Sequence, residues 1–301
     1  MQNWVVPRNF RPMGMKDFFI LGGKIMRKFI TVLATLTLIL TLAACGKKAG
    51  DQTTKDVLKV GMECGYAPYN WTQLDDSNGG VKIEGSEEYA GGYDVVMAQK
   101  VADALGKELV VVKTDWEGLP PAVQAGKIDL IMAGMSPTPD RKKEVQFTEP
   151  YWESPYVIIV KRGSIYENAK SLADFKGAKI TGQLNTLHYD AIDQIEGVIK
   201  EEAQSSFPEL RVALQAGVID GYVAEMPEAK SVEAATDDLV AVNFEEGKGF
   251  TIKDNANQVA AAAKIGNDEL VKTCNDVFGK ITQEERLKIM DTAISNQPAN
   301  N

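Results

Sequence analysis

VLKVG (57–61), YDVVMAQKVADAL (93–105), LVVV (109–112), PPAVQA (120–125) and IDLIMA (128–133) follow one another in that order along a 301-residue chain. The first, third and fifth runs are short and almost wholly apolar, as strands read when both sheet faces are covered. The second places Val95, Ala98, Ala102 and Leu105 on one helical face, and Gly106 suits the position just past a helix end. The fourth carries prolines in a first turn and is closed by Gly126. Residues 71–90 are polar and glycine-rich and read as a loop or a small hairpin. The series β-loop-α-β-α-β predicts an α/β fold with a mostly parallel sheet flanked by helices. Sites in such sheets lie outside the carboxyl ends of the strands, where Glu63-Cys64 and Gly134-Met135-Ser136 fall.

Further along, YVIIVK (156–161) reads as another strand and KIT (179–181) as a weaker one. Residues 190–216 follow a helical pattern, 218–224 return to strand, VAAAAK (259–264) is a further strand, and 268 to about 294 closes as helix. A second βα series starting near Lys161 predicts two lobes. Neither an internal repeat nor a low-complexity segment is present.

Before this folded part, residues 29–44 (FITVLATLTLILTLAA) are apolar or hydroxyl-bearing and follow Arg27-Lys28. The run is shorter than the roughly 20 residues that span a bilayer as a helix, and reads as an export signal. Its end, Leu42-Ala43-Ala44-Cys45, resembles the lipobox of bacterial lipoproteins, which implies lipidation of Cys45 and cleavage before it. Two acyl chains give stable anchoring where one is marginal. Residues 1–25 fit neither a signal nor a domain, so Met26, or else Met15, is the expected start. Residues 1–44 are thus read as upstream residues and signal peptide, and 45–55 as a flexible tether.

Of 33 basic and 42 acidic residues, six and one respectively precede Cys45, so the remainder is more acidic than the chain's overall −9. Such a surface repels nucleic acid and anionic headgroups, and no nucleic-acid partner is expected. The three cysteines, Cys45, Cys64 and Cys274, have no metal-ligand spacing; two isolated thiols are expected rather than a bridge. No cofactor or metal is anticipated. His188 is the single histidine, with no nucleophile elbow near it, and reads as a helix-surface residue. A phosphate loop of the GxxxxGK[ST] type is absent from the sequence.

Three segments together resemble the polar-amino-acid branch of the solute-binding proteins of ABC importers. They are GMECGYAPY (61–69), GYDV (92–95) with the helix to Leu105-Gly106, and GKIDL (126–130) running through AGMSPTPDRKK (133–143) to FTEPY (147–151). The resemblance implies two α/β lobes joined by two hinge crossings, one near 156–161 and a return near 255–259. Lobe 1 would comprise residues 56–160 plus 258–301, and lobe 2 residues 161–257. It implies no enzyme: a free L-amino acid is bound by hinge closure and delivered to an ABC permease and its ATPase. The protein would act as a monomer, lipid-anchored on the extracellular face of the cell membrane.

A trapped amino acid presents a carboxylate and an ammonium, and each needs a partner because an unpaired buried charge is costly. A guanidinium matches a carboxylate bidentately, which points to Arg141; the family's Arg of this motif has that role. The resemblance places Thr186 at a turn that grips the other side of the carboxylate, although Leu184 replaces the usual glycine. It places Ser136 and the carbonyl of Gly134 on the first lobe's share of the zwitterion, and Glu225 where an acid pairs with the ammonium. Glu63, Tyr66, Tyr69 and Trp116 form the expected side-chain pocket, an acid among aromatic faces, which suits arginine or lysine. Glutamine is the other ligand this acid serves in the family. Two further classes share the fold: a cyclohexadienyl- or arogenate-dehydratase-like enzyme, and a ligand-sensing module. The latter would carry a membrane span after the domain.

Overall fold

The computed structural model describes residues 56–253 and 256–298. The leader, Cys45 and the tether lie outside the described residues. The predicted β-α-β-α-β unit builds most of the first sheet, whose strands lie in the order Glu108–Lys113, Val57–Met62, Leu130–Ile131, Gln258–Ala263 and Gln146–Glu153. The first three pair in parallel, and Gln258–Ala263 runs antiparallel to both of its neighbours. Helix Tyr93–Leu105 packs its buried face, including Tyr93, Met97 and Val101, under this sheet. It stops at Gly106, whose positive φ of 66° lets its N–H reach back to the last turn. The strand Gln258–Ala263 is almost all alanine because its central place covers both faces, and Val259 to Ala263 are fully buried.

The second sheet repeats the plan, in the order Ile199–Lys200, Lys179–Thr181, Gly221–Glu225, Tyr156–Lys161 and Leu239–Ala241. The first three again pair in parallel, and Tyr156–Lys161 runs antiparallel to both of its neighbours. Residues 156–160, placed with the first lobe on sequence grounds, are paired entirely within this second sheet. The chain passes between sheets just before Tyr156 and again before Gln258. There the two passages run side by side, Ser154 N–H donating to Asn257 O at 3.1 Å.

Three local expectations are corrected. Residues 65–91 form a four-stranded antiparallel sheet of short strands rather than one loop or hairpin. Residues 190–216 are not one helix: Leu187–Ala191 is followed by a 3-10 turn, the strand Ile199–Lys200 and the helix Phe207–Gln215. Gly197 at φ 73° and Pro208 at a helix start break the pattern. The C-terminal helical stretch is two helices, Asp268–Phe278 and Gln283–Asn296, the second opened by a capping box from Thr282 and Glu285. Among the described residues, no helix is long and apolar enough to cross a membrane.

Candidate functional site

The strand Val57–Met62 ends at Glu63-Cys64, and Leu130–Ile131 is followed closely by Gly134–Ser136, both at the edge facing the second sheet. From that sheet, Lys179–Thr181 leads into Gln183 and Thr186, and Gly221–Glu225 ends on Glu225 itself. Between them lies a small cavity of about 10 Å³, room for roughly one water molecule with the two sheets this close. Six of the expected residues line it: Tyr66, Trp116, Gly134, Ser136, Arg141 and Thr186. Glu63 reaches it through Gln183, whose Nε2 donates to Glu63 Oε1 at 2.8 Å. Tyr69 and Glu225 lie behind the wall, both fully buried, the Tyr69 hydroxyl donating to Glu225 Oε2.

Arg141 does not sit in a solvated charge run. Its Nη1 donates to Ser136 O at 2.9 Å and its Nη2 to Asn185 O at 2.8 Å, and the guanidinium lies 4.9 Å over the Trp116 ring. Burial pushes its pKa down to about 10, so it stays cationic at neutral pH. A guanidinium has five N–H donors, so these two bonds leave others available. The aromatic faces expected to flank a ligand side chain are partly covered by the protein itself. Tyr66 stacks on Phe207 at 4.0 Å between centroids, and Arg141 covers Trp116. Thr186 uses its hydroxyl locally, donating to Gln183 O at 2.7 Å and accepting from Tyr189 N–H, as a helix cap does.

Two carboxyls beneath the first sheet's share of the site have pKa values raised by burial. Burial raises Glu63 from 4.5 to about 7, against the lowering effect of Gln183. Burial raises Asp94 from 3.8 to about 6, against hydrogen bonds from Tyr151 OH at 2.6 Å and Asn70 Nδ2 at 2.9 Å and one from the Gly134 N–H. Asn70 in turn accepts from Cys64 N–H at 2.8 Å. Asp94 therefore ties both first-sheet loops of the site to one buried anion. Gly134 is needed in that arrangement: its φ is +63°, and a Cβ there would meet Tyr66 Cε1 at 2.8 Å.

Sequence reasoning missed four contributors: Asp94, Gln183, Phe207 and His188. Only His188 was weighed, and as a surface residue. It is instead 7% exposed, lines the cavity, and places Nε2 3.4 Å from Glu225 Oε1. Cys64 and Cys274 are both buried and free. Among the described residues, no group of three or more His, Cys, Asp or Glu could hold a metal ion.

Residues 58–293 match the sequence model of the bacterial extracellular solute-binding proteins, family 3. The chain belongs to this family. Among family 3 relatives, a probable histidine-binding protein of Campylobacter jejuni is 29% identical over 84% of this chain and 96% of its own length. The arginine-binding extracellular protein ArtP of Bacillus subtilis is 27% identical over 86% of this chain and 92% of its own. Among solved structures, an amino acid ABC transporter substrate-binding protein of Streptococcus pneumoniae bound to L-arginine superposes with a TM-score of 0.69. It is 26% identical, covering 79% of this chain and 94% of that one. These relatives are named as binding proteins, and the two-lobed α/β architecture is shared with the solved structure.

Proposed function

We propose that this family 3 protein binds a free basic amino acid, arginine first, in the cavity between its two sheets and releases it to an ABC importer. The observation that carries the proposal is a pair of opposite charges from separate sheets, Arg141 lining the cavity and Glu225 buried just behind its wall. Arg141 enters from the first sheet with donors to spare, and Glu225 ends a second-sheet strand with Oε1 lacking a hydrogen-bond partner. A zwitterion satisfies both, its carboxylate on Arg141 and its ammonium on Glu225. Glu63 supports a cationic side chain: a carboxyl held at about 7 by burial regains its charge beside a cation. Lysine shares this chemistry, and glutamine could use the Glu63–Gln183 pair as acceptor and donor.

The working motion is closure of one lobe, built on the first sheet, over the other, built on the second, about the passages before Tyr156 and Gln258. The bonds from Arg141 and Trp116 to Asn185, and the Tyr66–Phe207 stack, are contacts that opening would break. The closed form of a monomer, anchored outside the cell by lipid on Cys45, would dock on the permease, and a separate ATPase would drive transport. Soluble protein starting at Gly46, screened by thermal shift against the twenty common amino acids and then by calorimetry, tests this reading. A melting-temperature rise with arginine supports it; no response to any amino acid refutes it. One observation serves an enzymatic reading, since a carboxyl near 7 in a cavity suits a general acid. Turnover of prephenate or arogenate would establish it.

A further inference from the structure

Four buried polar atoms without hydrogen-bond partners belong to three residues of this region: Tyr66 OH and His188 Nδ1 and Nε2, whose residues line the cavity, and Glu225 Oε1 beside His188. His188 Nε2 stands 3.4 Å from Glu225 Oε1 without the alignment of a hydrogen bond. The imidazole is held between the Tyr156 ring, 4.9 Å away edge-on, and the Phe207 ring at 6.0 Å. The charged groups around it divide clearly. Glu228, one turn on from Glu225, is already bound by Arg211 at 2.7 and 2.9 Å and by the Tyr222 hydroxyl at 3.0 Å. Arg141 lines the same cavity, is itself a cation, and already donates to two carbonyls. The Tyr156 hydroxyl donates to Ala256 O, and Asp190 on the histidine's own helix is exposed. Glu225 Oε2 is taken by Tyr69. The oxygen left for a new cation is Oε1, the one beside His188.

From this arrangement we infer that His188 and the α-ammonium of the bound amino acid compete for Glu225 Oε1, so that binding expels a proton from His188. The inference rests on the binding function proposed above. In the ligand-free protein His188 Nε2 is the nitrogen nearest that carboxylate oxygen, 3.4 Å away, so a proton carried there would be the one the ammonium displaces. When the ammonium takes that oxygen, two cations would share one buried anion, which the low-dielectric site disfavours. The N–H bond of the imidazolium then breaks heterolytically: the electron pair stays on the ring nitrogen and the proton passes to buffer. Affinity therefore rises with pH through the range in which histidines titrate, by about tenfold per pH unit where a full proton is released. Linkage is reciprocal, so the ligand must lower the His188 titration midpoint by the same factor by which deprotonation raises affinity.

His188 is the chain's single histidine, so protein carrying no histidine tag and labelled with carbon-13 at the imidazole Cε1 gives one ring resonance. Its midpoint is followed from pH 5 to 8 with and without saturating L-arginine. The expected result is a midpoint lower by about one pH unit or more when arginine is bound, with calorimetric Kd values falling in step as pH rises. Because Glu63 also titrates in this range, the same titration is run on Glu63→Gln, where the arginine-dependent shift of the His188 midpoint must persist. His188→Asn must flatten the remaining pH dependence of Kd in that background; His188→Gln replaces it should the first variant melt early. A midpoint that arginine leaves unmoved, or raises, overturns the inference while leaving binding intact. Failure of arginine to bind at any pH overturns the binding reading itself.

Discussion

Replacing Glu63 by Gln removes one buried charge and keeps the side chain's shape. The Glu63 carboxyl accepts from Gln183 Nε2 at 2.8 Å, and burial raises its pKa from 4.5 to about 7. The folded state thus holds this proton more tightly than the unfolded chain does. Below pH 4.5 both states are protonated and the group costs nothing; the cost grows between 4.5 and 7 and is constant above. At about 1.4 kcal/mol per pH unit, keeping Glu63 ionised at pH 8 costs the ligand-free protein up to about 3 kcal/mol. Glu63→Gln should therefore stabilise the ligand-free protein at pH 8, by up to that amount, and leave it unchanged at pH 4. A cationic ligand side chain recovers the same energy on binding, so the variant should lose on the order of a hundredfold in arginine affinity. Glutamine affinity should change far less. Urea denaturation at the two pH values and calorimetry with both ligands measure these effects. A variant no more stable at pH 8, with arginine affinity intact, would refute the reasoning.

Three other substitutions probe the same architecture. Arg141→Lys keeps the charge but loses the planar fork; arginine binding should weaken by about 2 kcal/mol or more, roughly thirtyfold, with the melting temperature near wild type. Tyr69→Phe strips the hydroxyl from buried Glu225 and should cost about 1–3 kcal/mol in chemical denaturation at pH 8. Gly134→Ala forces a side chain into φ +63° and against Tyr66, which should cost about 1–2 kcal/mol of backbone strain, seen as a lowered melting temperature, and weaken binding further.

The parts legible in the sequence were those with local signals. Helix Tyr93–Leu105 has its predicted bounds because one apolar face and Gly106 define it within a single window. The strand–loop ends at Glu63 and Gly134 followed from the parallel-sheet rule alone. What escaped notice depended on distant partners. Gln146–Glu153 contains Pro150, which argues against a strand, yet it lies at the sheet edge opposite Gln258–Ala263, with the register shifting beside the proline. Helix Met226–Ala235 has little amphipathic contrast because it buries Glu228 against Arg211 instead of presenting an apolar stripe. His188 gave no local sign of burial, since its neighbours are Tyr156, Phe207 and Glu225, each far away in the chain. Asp94 sat within a quoted motif, but its role appears only when Asn70, Gly134 and Tyr151 converge on it.

The most direct measurement is a crystal structure of the lipid-free protein grown with L-arginine at pH 8. The account predicts the ligand's α-carboxylate within hydrogen-bond distance of the Arg141 guanidinium and its α-ammonium on Glu225 Oε1. An arginine bound elsewhere, with Arg141 still on the Ser136 and Asn185 carbonyls, would contradict it.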